Sequence, residues 1–441
     1  MEIRTIRTEG LGDSTYVVAH DGLGIVVDPQ RDIDRFLPVI EELDIEVRWV
    51  METHLHNDYV SGAPDLARAL GSELIIPAGA APVYRHTPAF HREDLLSGGL
   101  TIRPIHTPGH TPEHVSYLIL VDGVETAVFS GGSLLVGSAG RSDLLGMDRA
   151  DTLARLQFRS INRLAALPAE TRLYPTHGAG SFCTATVAGN ADSTIGVEVR
   201  TNPVLTHRDE DAFAAAHLSG LAPFPDYYQH MGPANLQGRP APDLHAPPTV
   251  EAGHLDDIDD VVVVDARSRT EFASGHIPGS IAVELRKDFG VWVGWMIPFN
   301  SPLVLVLNQN QDLDEAQRQL ARIGFDRVVG VIRDLDEWAS RLVGHEVVNT
   351  GEAIHMLGEG VQLLDVRAPT DWAFGTVPGS ITCYTPDLAD SIPETIDQDR
   401  PVLIACESGY RATIAASVLE GRGYQPVVLV GAGVPELLTR A

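Results

Sequence analysis

Thr53-His54-Leu55-His56-Asn57-Asp58-Tyr59 follows a mostly apolar run, Val47-Arg48-Trp49-Val50-Met51, and decides how the first half of the chain is read. In extended backbone, residues i and i+2 point the same way, so His54 and His56 can aim both imidazoles at one point. Imidazole is the commonest protein metal ligand, and Asp58 adds a hard oxygen nearby. Working outward, Ile25-Val26-Val27-Asp28 ends another strand in a carboxylate. Phe36, Leu37, Ile40 and Leu43 have helical spacing, with Pro38 tolerable only near the helix start. Residues 74–76, 102–107, 115–121 and 127–129 read as strands, and 153–167 as an amphipathic helix. Thr107-Pro108-Gly109-His110-Thr111 is a tight turn presenting His110. Tyr174-Pro175-Thr176-His177 ends a further strand with His177 at its edge.

The chain has 441 residues, too many for one typical domain. A formal charge of −28 argues against nucleic acid or an anionic membrane as partner. No run of about eighteen apolar residues occurs, so no membrane span is expected. The segment Met1-Glu2-Ile3-Arg4-Thr5 lacks the basic-then-apolar pattern of a secretion signal. Cys183, Cys383 and Cys406 make no disulfide framework, so a reducing, cytoplasmic setting is expected.

From Gly238 the text becomes a Pro-rich linker, and after it the chain repeats. Asp265-Ala266-Arg267 precedes Gly275-His276-Ile277-Pro278-Gly279-Ser280; Asp365-Val366-Arg367 precedes Gly375-Thr376-Val377-Pro378-Gly379-Ser380. A strand and a helix closed by Gly-aromatic (Gly324-Phe325, Gly423-Tyr424) follow in each copy. Strand–helix alternation predicts a parallel α/β sheet in both. The expected domains are residues 1–240, 247–346 and 347–441. In the second copy a strand runs into Cys406-Glu407-Ser408-Gly409-Tyr410-Arg411 and then a helix. A Cys at a helix N-terminus sees unpaired N–H groups and the positive end of the dipole, which favour thiolate. Gly409 allows the turn and Arg411 adds positive charge. The first copy has Leu307 at the matching place, followed by Asn308-Gln309-Asn310-Gln311-Asp312, so it is expected to be inactive.

The second copy resembles the rhodanese sulfurtransferase family, whose loop is Cys-x-x-Gly-x-Arg. The resemblance implies Cys406 as the sulfur-accepting nucleophile, with Arg411 catalytic and Glu407, Ser408, Gly409 and Tyr410 forming the persulfide loop. The segment at 53–59 resembles the metallo-β-lactamase superfamily motif Thr-His-x-His-x-Asp-His, with Tyr59 in place of its last His. Gly132, in Ser130-Gly131-Gly132-Ser133, stands where that superfamily has a metal-binding Asp. Among its members the persulfide dioxygenase and glyoxalase II branch is the most similar. The expected fold is therefore α/β: a metallo-β-lactamase αββα sandwich followed by two rhodanese-like domains with parallel sheets.

The site expected is one divalent ion, Fe(II) or Zn(II), on His54, His110 and either His56 or Asp58, with Tyr59 and His177 lining the pocket. A second metal is not expected. The resemblance implies sulfane-sulfur transfer through a Cys406 persulfide, coupled to metal-dependent oxidation of a low-molecular-weight thiol persulfide to sulfite. Its alternatives are a sulfurtransferase with a degenerate metal domain, a thioester hydrolase of glyoxalase II type, and a non-enzymatic persulfide sensor or carrier. Expected partners are a glutathione-like thiol or persulfide and a sulfane-sulfur donor; homodimerisation stays open.

Overall fold

The computed structural model describes residues 1–189, 192–251 and 253–440. The chain divides into two compact units: Met1–Asp243 with Ala321–Gly324, and Leu244–Leu320 with Phe325–Ala441.

In the first unit, strands β1 (Glu2–Thr8), β2 (Asp13–His20), β3 (Leu23–Val27), β4 (Glu46–Met51), β5 (Glu73–Pro77) and β6 (Thr87–Ala89) form one sheet in that order. A second six-stranded sheet contains β7 (Leu95–Ser97), β8 (Leu100–His106), β9 (Val115–Val121) and β10 (Val124–Gly131). A short ribbon, β11 (Leu134–Leu135) and β12 (Ser138–Ala139), follows. The second sheet is completed by β13 (Arg172–Pro175), parallel to β10, and β14 (Ser193–Thr194). Strand side chains alternate between faces, and both faces here are apolar. Tyr16, Val18, Ile25, Val27 and Met51 meet Ile102, Tyr117, Ile119 and Phe129 between the sheets. Val17, Val26 and Val50 face outward onto Phe36, Ile40 and Leu66. Leu118, Leu120 and Val128 face outward onto Ile161 and Leu164 of the helix Met147–Ala165. Burial on both faces of two stacked sheets makes an αββα sandwich, the expected architecture. That helix begins before the 153–167 stretch, and Ala150 near its start is also buried.

In the second unit, β15 (Val262–Asp265), β16 (Ile281–Ala282), β17 (Leu303–Val306) and β18 (Val328–Ile332) form an all-parallel sheet in the order β16-β15-β17-β18. Strands β19 (Glu346–Val348), β20 (Gln362–Asp365), β21 (Ile381–Thr382), β22 (Pro401–Ala405) and β23 (Gln425–Leu429) form another, ordered β19-β23-β22-β20-β21 and again parallel. The sequence repeat is thus a structural repeat with one strand added.

The repeated Asp-x-Arg does the same work twice. Arg267 donates to both Asp265 oxygens and, at 2.8 Å, to the Gly275 carbonyl. Arg367 donates to Asp365 and, at 2.7 Å, to the Gly375 carbonyl. Each pair ties a strand end to the start of the Gly-x-x-Pro-Gly-Ser loop. Arg367 is 4% and Asp365 0% exposed, so removing the acid leaves a buried guanidinium uncompensated. Asp365→Ala is expected to cost about 3–5 kcal/mol in chemical denaturation of the second unit. A loss under about 1 kcal/mol would contradict that role.

Candidate functional site

The C-terminal ends of β3, β4, β10 and β13 converge on one buried point. Asp28, just after β3, has φ +52° and 0% exposure. Its carboxylate accepts the Thr53 N–H and the Thr53 hydroxyl, both at 2.7 Å, and the Thr176 hydroxyl. Burial alone would raise its pKa, but charged His56 and these donors hold it below its ordinary value.

Three imidazoles face each other here. His54, His110 and His177 are fully buried and offer ligand atoms within 4.8 Å of one another. Their outer nitrogens fix their tautomers. His54 Nδ1 lies 2.8 Å from Thr53 Oγ1, whose own hydrogen goes to Asp28, so His54 Nδ1 donates. His110 Nδ1 donates to the Arg141 carbonyl at 2.8 Å. His177 Nδ1 donates to Asp13 at 2.8 Å. All three Nε2 atoms therefore carry lone pairs. His177 Nε2 and His54 Nε2 lie 3.4 Å apart, and buried His110 Nε2 has no hydrogen-bond partner among the described residues. Burial first, then neighbouring imidazoles, push the pKa of His54 and His110 well below the ordinary value, and burial also lowers that of His177. Lone pairs facing lone pairs repel unless a cation sits between them. Ligands about 2.0–2.1 Å from a tetrahedral ion stand about 3.3 Å apart, so the donor set fits one such ion.

The geometry differs from the expected ligand set in two places. His56 turns away: its Nε2 lies 2.9 Å from Glu52 and 3.3 Å from Asp28, in a buried ion-pair cluster. Burial would lower its pKa, but the two carboxylates raise it well above the ordinary value. His177, expected to line the pocket, supplies the third ligand atom of this trio, and His56, Asp58 and His177 form a second group whose ligand atoms lie within 4.8 Å of one another. Asp58 stands behind it, 3.3 Å from His177 Nδ1. Burial raises Asp58 and Asp13 to about 7 each, and the two titrate as a coupled carboxyl pair. Tyr59 stacks on His56 with centroids 4.3 Å apart and donates to the Asp28 carbonyl.

Gly132 leaves no room for a carboxylate. A Cβ there would lie 2.2 Å from His110 Cδ2. Its N–H instead donates to His114 Nε2 at 2.9 Å, and Gln157 donates to the carbonyls of Gly132, Ser133 and Gly140. His114 stacks on His54 with centroids 5.0 Å apart. Asp13, Glu52 and His114 carry no motif that the sequence exposes; only Asp28 had a signal, as a carboxylate closing an apolar strand. Cys183 is fully buried, and burial pushes its thiol well above the ordinary value.

In the second unit, β22 delivers Cys406 to the N-terminus of the helix Tyr410–Gly421. Its Sγ accepts the Gly409 N–H at 3.1 Å. Gly409 has φ +93°, a conformation costly for any side chain. Arg411 reaches Asp371 at 3.2 Å and Glu407 at 3.5 Å, while Glu407 and Ser408 are exposed. Tyr410 packs away from the loop, its ring under Arg286 at 4.3 Å. In the first copy Leu307 is 0% exposed, and Arg333 closes the loop by donating to the carbonyls of Asn308 and Gln311.

An αββα sandwich with histidines at its strand ends, joined to a duplicated parallel fold with a cysteine loop, defines the class of protein. The chain belongs to the metallo-beta-lactamase superfamily through residues 8–177, and rhodanese-like domains match residues 250–341 and 349–438. It is 33% identical over 168 residues to the probable polyketide biosynthesis zinc-dependent hydrolase BaeB of Bacillus velezensis, covering 35% of this chain and 68% of that one. It is 34% identical over 170 residues to a probable metallo-hydrolase of Burkholderia pseudomallei, covering 33% of this chain and 56% of the relative. The chain thus spans only about half the length of that relative. A metallo-beta-lactamase from Staphylococcus aureus has a similar structure, with TM-score 0.68 and 26% identity, covering 76% of this chain and 99% of that one. No helix among the described residues is long and apolar enough to cross a membrane.

Two outcomes follow. His177→Ala is expected to weaken zinc binding in the first unit by more than the ~10–100-fold typical of outer-shell changes. His56→Gln is expected to leave the stoichiometry of that unit unchanged; equilibrium dialysis distinguishes the two, and the reverse pattern would restore His56 as ligand. Second, the Asp13–Asp58 pair has folded-state pKa values of about 7 against an ordinary 3.8. Raised carboxyl values mean the folded state holds the protons more tightly, so this contribution is fully present below about pH 4 and is lost as pH rises towards 7. In metal-free protein, Asp58→Asn is expected to flatten that fall in denaturation free energy; an unchanged slope would contradict it.

Proposed function

We propose that the chain is a sulfur-handling enzyme that passes a sulfane sulfur through Cys406 and oxidises a low-molecular-weight persulfide in the first unit. The observation that carries this reading is Cys406 Sγ at the mouth of a twelve-residue helix, accepting the Gly409 N–H. The helix dipole and the unpaired N–H groups of the first turn favour an anionic sulfur at this place. The thiolate attacks the sulfane sulfur of a donor such as thiosulfate, forming the Cys406 S–S bond and releasing sulfite. A thiol then takes the outer sulfur, leaving as a persulfide and returning the Cys406 thiolate. Arg411 supplies positive charge beside the loop.

In the first unit, His54, His110 and His177 would hold one ion through Nε2. Bound iron would supply redox chemistry towards O2, and bound zinc would supply Lewis acidity. The chain's own residues set the donors: Thr53, the Arg141 carbonyl and Asp13 hold the three imidazoles in the Nδ1–H tautomer. For the oxidation, a persulfide, O2 and water give the thiol, sulfite and two protons. A thioester hydrolase is the second reading. The all-nitrogen donor set, with no carboxylate at Gly132, favours it, since three histidines suit zinc.

Cys406→Ser is expected to abolish thiosulfate-to-thiol sulfur transfer while leaving oxygen uptake with glutathione persulfide intact in iron-loaded protein. His110→Ala is expected to do the opposite. No uptake after anaerobic iron reconstitution would remove the oxidation half. Thiol release from S-acyl glutathione by the zinc-loaded chain would establish the second reading in its place.

A further inference from the structure

A second histidine cluster lies within the other unit, where the two rhodanese-like copies meet. His276 belongs to the Gly-x-x-Pro-Gly-Ser loop of the first copy, and His345 to the segment leading into the second. Glu420 lies near the C-terminal end of the helix that starts beside Cys406. Ligand atoms of the three lie within 4.8 Å of one another.

The local backbone holds both imidazoles in place. His276 and Val343 exchange two backbone hydrogen bonds, at 2.9 and 3.0 Å, and His345 N–H donates to the Ala273 carbonyl. Phe272 stacks on His276 with centroids 3.6 Å apart and an interplanar angle of 8°. His276 Nδ1 donates to the Phe272 carbonyl at 2.8 Å, so in a neutral ring Nε2 carries the lone pair. That Nε2 points at Glu420 Oε2, 3.2 Å away. His345 Nδ1 stands 3.8 Å from the same oxygen, beyond hydrogen-bond reach.

The His345 side chain is only 2% exposed, yet neither of its ring nitrogens has a hydrogen-bond partner among the described residues, and neither does Glu420 Oε2. Buried polar atoms are rarely left unpaired, and each costs about 1–3 kcal/mol when it is. Two nitrogens and one carboxylate oxygen, spaced as ligands of one small ion are, form a set that a divalent cation satisfies at once.

We infer that His276, His345 and Glu420 form a zinc-binding site that clamps the two rhodanese-like copies together. Two imidazoles and one carboxylate suit zinc and leave a fourth position open. The ion would fix the far end of the helix whose first turn presents Cys406, and so restrain that helix against the first copy. The site does not depend on the chemistry proposed for the first unit.

Zinc alone is the probe, with the full chain stripped by chelator, reloaded, passed through a sizing column and its metal counted. His345→Gln and Glu420→Gln are each expected to lower bound zinc by one equivalent relative to the parent, with circular dichroism unchanged. Parent stoichiometry in both folded variants would overturn the site and leave an ordinary imidazolium–carboxylate pair. Should both variants unfold, a His54→Ala/His177→Ala chain leaves the cluster untouched. One zinc equivalent retained there supports the site, and none overturns it.

Discussion

The Asp28 carboxylate is the constraint on which the first unit depends. It closes β3 in a left-handed conformation and binds the backbone and hydroxyl of Thr53 after β4. It also binds the hydroxyl of Thr176 after β13, joining the C-terminal ends of both sheets. Because it consumes the Thr53 hydrogen, Thr53 can only accept from His54. One acid thus sets the protonation of an imidazole it does not touch. The same carboxylate, with Glu52, flanks His56 Nε2 at 3.3 and 2.9 Å.

The two units rest their chemistry on different side chains. In the first, desolvation keeps three rings neutral, and acceptors on their outer nitrogens direct every lone pair inward. Such an arrangement is unfavourable by itself and becomes favourable only around a cation, so metal binding and local stability are linked. In the second unit the chemistry rests on sulfur. The loop at Cys406 offers backbone N–H groups, and its duplicate at Leu307 is sealed by side chains, with Arg333 bonded to two loop carbonyls. The paired Asp-x-Arg ties persist in both copies because they hold the strand ends, whether or not a nucleophile follows.

The architecture was legible because it rests on short-range signals. Apolar strands ending in His54, His110 and His177, a hundred-residue repeat, and a cysteine between a strand and a helix all stand in the text. What the text could not supply was the direction in which each ring turns. The i, i+2 rule places His54 and His56 on one face, but Glu52 and Asp28 pull the second ring away. His177 joins instead because Asp13, 164 residues distant, orients it. The absence of a carboxylate at Gly132 was readable, but not that His110 occupies its space. Rotamer and tautomer follow from partners that only the fold brings near.

The most direct measurement is the anomalous-scattering map of metal-loaded crystals of the full chain, read in the first unit. A single peak about 2.0–2.1 Å from the Nε2 atoms of His54, His110 and His177, with His56 still on Glu52, is the expected result. A peak held by His56 or Asp58, or two peaks about 3.5–4 Å apart in that unit, would contradict the three-lone-pair site.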